Sequence, residues 1–484
     1  MASEIVEANV KGGRHGCWLF TGVGGGSFGN AALGDKRRTH RLVKVAAAFN
    51  SGACCGGGGT ITSVIPATHQ AKAAYRLLDC ESVTHPSVIE SHCRHVRSTI
   101  NEPGVTLLIE DTTAIAYPGL KQSSGLGPIG EAFTRGFWLH STLAVRWELS
   151  SDASEKDRCW PIGLLHQHAW ARPTERPARR KRTGRGKEPN HARQKRKDRE
   201  SIRWAAVLAT LPAMKREDSS LIFVADRESD IYEVFGKCRA AGVSFVIRAA
   251  YARATVDDEF GADLMSAAEN APVRGHLQLD LPQHHRTATM EVRGIAVELR
   301  GPPRPGGRAA NVTLGVVRVR EVDPPAGVEP LEWTLLTDQP VDTLKACGRV
   351  MRIYRCRWMI EELHKGMKTG LGLELSQLSD YRRLSALAGI VSVVAVHLLQ
   401  MKWSARIDGQ KPLEEEQTRE PMVKLLEKIH PPSGKKTVQW LWISIARLGG
   451  YLARKNDGPP GWLTLWRGWQ TLQLLLRGYH LADP

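Results

Sequence analysis

Two short apolar runs in this chain end on acid. "VTLLI" (residues 105–109) is β-branched and aliphatic and stops at Glu110 and Asp111, while "LIFVA" (221–225) stops at Asp226 with a helical pattern after it. Unbroken apolar runs of this length predict buried strands, here with carboxylates delivered at their C-terminal ends. Between Asp226 and about residue 340 the period changes to two. "GHLQLDLPQ", "ATMEVRGIAVELRG", "NVTLGVVRVREV" and "EWTLLTD" are strand-like runs separated by Pro and Gly, an antiparallel block. From about Ser376 onward the pattern is helical. "LSALAGIVSVVAVHLLQM" (384–401) is uncharged but carries two Ser, a His and a Gln, and reads as a buried helix rather than a membrane span. "TVQWLWISIARLGGYLAR" and "GWLTLWRGWQTLQLLLRGY" hold more Trp and Leu than a small helical pair needs, which predicts an apolar interface. Near the N-terminus "ALGDKRRTHRLVKVAAAFN" is amphipathic. Asp35 is placed to cap it, Leu42, Val43 and Ala46 form its apolar face, and Lys36, Arg37, Arg38, Arg41 and Lys44 form a cationic one suited to phosphates.

Composition sharpens this picture. The 484 residues exceed what one core usually accommodates, so two or three domains are expected. A formal charge of +17 favours a polyanionic partner such as nucleic acid, with a membrane surface as the competing explanation. The segment 172–204 is basic and almost free of apolar residues before its last few, and reads as a surface loop. Nine Cys, an odd number with Cys54 and Cys55 adjacent, make no disulfide framework, and a reducing cytoplasm fits them. Cys80, His92, Cys93 and His95 lack the paired spacing of a zinc site. The N-terminus shows no apolar signal segment, and no membrane association is expected.

The stretch "IYRCRWMIEELHKGMKTG" carries the candidate chemistry. On a continuous α-helix Tyr354, Arg357, Glu361 and Lys368 fall within an arc of about 60° and span about 21 Å. A carboxylate flanked by cations, with a phenol beside it, suits a phosphate backbone and a metal ion at the reacting phosphate. The alternative is a solvated helix with internal salt bridges. Asp111, Asp226 and Glu361 together would give three hard oxygen donors from distant segments, a set that binds Mg2+ incompletely and leaves room for substrate and water.

The spacing Tyr354-x2-Arg357-x3-Glu361-x6-Lys368 resembles the signature of the cut-and-paste DDE transposases of the insertion-sequence-four family. "AALGDKRRTHRLVKVAA", "AYRLL", "IEDTTA", "RGFWLHSTLAV", "IGLLHQHAW", "ADRESDIY", "PLEWTLLTDQPV" and "IARLGGYL" extend the likeness in the family's order along nearly the whole chain. The resemblance implies an α/β fold: an RNase H-like mixed sheet with an antiparallel β insertion, flanked by helical domains. The expected division is an end-binding domain at 1–75, a catalytic domain at 76–372 with the insertion at about 250–340, and a C-terminal dimerisation region at 373–484. It implies that Asp111, Asp226 and Glu361 are the catalytic metal ligands, holding two Mg2+ ions with Mn2+ as substitute. Tyr354, Arg357 and Lys368 would contact DNA phosphates, and Trp333 would stack on a displaced base. Arg37, Arg38 and Arg41 are the expected end-binding cations. The partners implied are double-stranded transposon ends, target DNA and a second copy of the chain, in a bacterial cytoplasm on the nucleoid. A silent DNA-binding repressor derivative and a nuclease that only hydrolyses are the competing readings. Ser229 in "DRESD", where the family pattern usually has Ala, is expected to point outward with little consequence.

Overall fold

Strand β1, Gly104–Ala116, lies beside both an antiparallel and a parallel partner. The structure, a computed structural model, describes residues 23–51, 59–120, 124–130, 134–149, 157–173, 203–211, 219–257, 259–281, 286–304, 306–418, 420–454 and 457–482. Most of the basic segment, 174–202, and the Gly- and Cys-rich stretch 52–58 therefore lie outside the described residues. Contacts divide the chain into two compact units, 93–364 and a second that joins 1–92 to 365–484.

The unit 93–364 is built on one mixed sheet. After β1 come β2 (Gly127–Pro128), β3 (Arg135–Glu148), β4 (Arg158–Trp170), β5 (Ser219–Ala225), β6 (Ser244–Arg248), β7 (Val273–Leu281), β8 (Arg286–Leu299), β9 (Pro303–Arg304), β10 (Gly307–Arg308), β11 (Val312–Val322) and β12 (Glu332–Thr337). The order across the sheet is β2-β3-β1-β5-β6-β12-β11-β8-β7, with β4 also on β3 and the β9–β10 pair separate. Strands β1, β5 and β6 are parallel, and every other pairing is antiparallel. The alternating runs read between 275 and 338 become β7, β8, β11 and β12, and β12 joins them edge-on to β6 within the same sheet. One expectation changes here. Strand β1 does not stop at Glu110 and Asp111 but continues to Ala116, because β3 pairs with it along its whole length while the parallel ladder with β5 ends at Glu110 and Ala225.

The core of this sheet includes Leu108, Phe223, Phe245, Val316 and Leu336, packed with Phe235 from the helix Tyr232–Ala240. Phe235 and Phe245 stack with centroids 5.3 Å apart. Truncating any such fully buried aromatic costs about 3 to 5 kcal/mol. The helix Leu344–Arg355, capped by Thr343 accepting from Ala346 N–H at 3.2 Å, packs on the strands. A Cβ at position 294 would lie 2.4 Å from the Val341 carbonyl oxygen and 2.5 Å from Cys347 Sγ, so glycine there is what admits this helix to the sheet.

The unit formed by 1–92 and 365–484 is helical. The helix Tyr381–Ile407 is long and apolar enough to cross a membrane, yet 94% of its most apolar window is buried within the fold, as expected of a helix hydrophobic all round. Around it lie Lys36–Asn50, Thr68–Asp79 and Val438–Leu448, and Trp462–Ala482 packs in turn on Val438–Leu448. Arg382 donates to the carbonyls of Leu78 and Cys80 at 2.8 and 2.9 Å, satisfying orphan acceptors at the end of Thr68–Asp79. Asp35 caps Lys36–Asn50 by accepting from Arg37 N–H at 2.8 Å, and the buried face is Leu42, Val45, Ala46 and Phe49, with Val43 only half-buried. The C-terminal Trp surplus proves to be internal: Trp442, Trp462, Trp466 and Trp469 are buried, and Trp469 Nε1 donates to the Asn50 carbonyl at 2.7 Å. These tryptophans are thus core of the unit, while Leu474, Leu475 and Leu481 on Trp462–Ala482 stay exposed.

Candidate active site

The parallel ladder between β1 and β5 ends with Glu110 opposite Ala225, and the next residues, Asp111 and Asp226, follow it close enough that the charge of Asp111 acts on Asp226. Asp226 leaves the strand as the cap of a short turn, its Oδ1 accepting from Glu228 N–H at 2.9 Å. Asp111 Oδ1 accepts from Thr112 N–H at 2.8 Å, and His364 Nδ1 lies 3.6 Å from Asp111 Oδ2. The two carboxyl groups are driven in opposite directions. Burial would raise Asp111, but His364, the Thr112 N–H and Arg357 outweigh it and hold it below the usual carboxylate range. Burial, reinforced by the neighbouring Asp111 charge, raises Asp226.

The signature segment is not one helix. Leu344–Arg355 ends after Tyr354, Trp358–Lys365 begins after Arg357, and Gly366–Gly370 is a π-turn. At the junction the N–H groups of Cys356, Arg357, Met359 and Ile360 each reach back three residues, the tighter 3-10 pattern. That winding puts positions three apart nearly in line, and Arg357 Cζ stands 5.9 Å from the centroid of the Tyr354 ring. Arg357 Nη2 donates to Glu361 Oε1. Burial opposes its charge, but the Tyr354 phenol, Glu361 and Asp111 hold the guanidinium more firmly protonated than usual. Tyr354 is itself raised by burial. Trp333, half-buried on β12, has its ring 5.9 Å from that of Tyr354.

Asp111, Asp226, Tyr354, Arg357 and Trp333 are thus brought together around one end of the parallel strands. Glu361 is present but turned to Arg357, and among the described residues no three acidic, His or Cys side chains are gathered closely enough to hold a metal ion. Two neighbouring hard carboxylates, one raised by burial and further by the other's charge, nonetheless fit a divalent cation whose remaining positions are filled by substrate and water. Lys368 lies in the other unit, where its Nζ is 4.0 Å from Glu374 Oε1. Arg37, Arg38 and Arg41 are in that unit too. Arg37 is exposed, whereas Arg38 Nη1 is engaged by the Leu33 carbonyl at 3.0 Å and Ser82 Oγ at 2.9 Å.

Two site residues escape sequence reasoning. Arg248, at the end of β6, lowers both Asp226 and Tyr354 by its charge, and only the strand order reveals it. His364 was in principle readable, since it follows Glu361 by three positions on a helix. A third finding is a correction. Ser229 does not point outward: it is fully buried, and its Oγ has no hydrogen-bond partner.

Residues 26–83 match the model described as transposase DNA-binding, and residues 191–396 match the one described as transposase DDE domain. The second match contains Asp226, Trp333, Tyr354, Arg357, Glu361 and Lys368, and Asp111 precedes it.

Proposed function

We propose that this chain, which carries a transposase DNA-binding domain and a DDE transposase domain, is a DNA transposase of the insertion-sequence-four kind that binds inverted-repeat ends, excises its element and joins it to target DNA. The observation that carries the reading is the register of β1 on β5, whose last pair, Glu110 and Ala225, brings the following Asp111 and Asp226 close enough for their charges to interact, beside Arg357, Tyr354 and Trp333. A family of this type uses a divalent metal. Asp111, Asp226 and Glu361 would hold Mg2+, in one or two copies and with Mn2+ as substitute, and the ion would polarise the reacting phosphate.

The residues themselves do the positioning. Asp111, kept ionised, is a fixed negative group in the site, suited to holding a cation. Arg357 offers planar N–H donors to a phosphate, with its guanidinium pre-set against the Tyr354 ring. In the first step water attacks phosphorus and the bond to the 3′-oxygen breaks. The freed 3′-hydroxyl then attacks a phosphorus of the opposite strand, and the bond from that phosphorus to the flanking strand's 3′-oxygen breaks as the hairpin forms. Opening of the hairpin by water precedes joining to target. Trp333 stacks on a displaced base during the hairpin step, and pairing of two ends is assigned to a dimer.

The test is a supercoiled plasmid carrying a marker between the inverted repeats that flank the coding sequence, incubated with protein and Mg2+. Nicks at the outer repeat ends, then hairpins and a released linear element, are expected. Random nicking without end specificity would overturn the reading in favour of a nuclease. End binding in a gel shift without any cleavage would favour a repressor.

A further inference from the structure

We infer that in the DNA-free protein Arg357 occupies the position among the acidic side chains that a divalent cation takes during chemistry, so that metal uptake waits for a DNA phosphate to draw the guanidinium away. This rests on the reading of Asp111, Asp226 and Glu361 as metal ligands.

Among the described residues, the cation paired with the third carboxylate is Arg357, through Nη2 to Glu361 Oε1. Asp111 and Asp226 lie near enough to feel its charge as well, alongside His364 at Asp111 and Arg248 at Asp226. The structure accordingly holds two carboxylates at the strand ends and a third turned aside, with no group of three gathered among the described residues. A guanidinium does not lose its proton in a protein, so it cannot yield its place by deprotonating. It leaves only if another anion competes for its donors, and a phosphodiester is matched to them in charge and in fork geometry. Arg357 is placed for such an exchange: it lies in the turn between two helices rather than inside either, and its side chain keeps 17% exposure. Once it swings to a phosphate, Glu361 is released toward Asp111 and Asp226, and the like-charge conflict between Arg357 and an incoming cation is removed. By reciprocity, DNA must raise the affinity for metal by the factor through which metal raises the affinity for DNA.

The experiment measures Mn2+ binding by titration calorimetry on the full chain, with and without a terminal-repeat duplex, at fixed ionic strength. In the unaltered protein without DNA, Mn2+ binding should be weak, and the duplex should strengthen it. Arg357→Gln should bind Mn2+ about tenfold tighter than the unaltered protein in the absence of DNA, since loss of an adjacent opposite charge shifts a carboxylate by about one to three pKa units. The duplex should add correspondingly less to it. Arg357→Lys, which keeps the charge, should stay weak. Arg248→Gln, which removes a nearby cation that does not touch Glu361, should change little and so distinguishes occupancy from a general field. If duplex-bound protein takes up Mn2+ but Arg357→Gln is no tighter without DNA, the inference falls while the metal-site reading stands. A Mn2+ affinity of the unaltered protein that is the same with and without duplex overturns the inference without recourse to any variant. If no form binds Mn2+ even with duplex, the metal-site reading falls and takes the inference with it.

Discussion

Glu110 and Asp111 are neighbours in sequence and of like chemistry, yet they sit on opposite faces of β1 and meet opposite fates. Glu110 is fully buried. Its carboxylate accepts from Thr142 Oγ1 at 2.9 Å and from the Ala205 N–H at 3.2 Å, and His140 Nε2 lies 3.3 Å away. His140 in turn meets Thr112 Oγ1 at 2.8 Å through Nδ1, and its ring packs edge-on against Trp204. Ala205 holds a φ of +62°, a left-handed conformation that costs a non-glycine residue roughly 1 kcal/mol or more, and Glu110 is what receives its N–H. Asp111, on the other face, keeps part of its surface open and is surrounded by residues of the signature. The second acidic motif repeats the division. Asp226 is half-exposed beside Asp111, while Asp230 is buried, accepting from the N–H groups of Ala250 and Tyr251 at 2.7 and 3.1 Å and pairing with Arg253. A carboxylate with every oxygen engaged fastens segments together. One left with spare acceptor capacity is available for chemistry.

Substitutions can break this distinction. The largest effect is expected at the open pair. Asp111→Ala or Asp226→Ala should lower strand cleavage by at least about a thousandfold, which is about 4 kcal/mol in the barrier, with end binding and melting temperature nearly unchanged. Cleavage at ordinary Mg2+ by either variant would remove that residue from the site. The buried pair should behave in reverse. Glu110→Ala or Asp230→Ala strands its partners without solvent and should cost about 3 kcal/mol of stability in chemical denaturation. A loss of cleavage in either variant without loss of stability would show that the face assignment is wrong.

Trp333 and Ser229 sharpen the comparison at smaller scale. Trp333→Ala should leave first-strand nicking near normal but slow hairpin formation by about ten- to a hundredfold, because base stacking on an aromatic ring contributes roughly 1 to 3 kcal/mol. Gel analysis of nicked and hairpin ends checks this. Equal loss of both steps with a lowered melting temperature would mean that the indole merely packs against Tyr354. Ser229→Ala removes a buried hydroxyl that has no partner, and a gain of about 1 kcal/mol is expected with cleavage unchanged. A destabilised Ser229→Ala protein would imply that the hydroxyl is satisfied in solution.

What the sequence determined by itself is what depends on near neighbours. The apolar runs before Asp111 and Asp226, the four strands of the antiparallel block, the Asp35 cap and the buried helix around 384–401 were all legible, because periodicity and capping are properties of residues a few positions apart. The signature residues were visible as a spacing, although the continuous helix drawn through them was not: the chain breaks at Cys356 and Arg357 and winds as a π-turn from Gly366. Only the tertiary structure decided that β1 continues past Asp111, since that depends on a partner strand about thirty residues away. It also decided that the C-terminal tryptophans are core, since they are buried in a unit that includes N-terminal helices more than four hundred residues distant in the chain. Most of all it decided which carboxylate is structural and which is open. Glu110 and Asp111 carry the same charge and the same local propensity, and what separates them is the side of the sheet on which Thr142, His140 and Ala205, or His364 and Arg357, come to lie. Such pairings arise from the order of strands, and that order is fixed by burial and backbone hydrogen bonding over the whole domain rather than by any short stretch of residues.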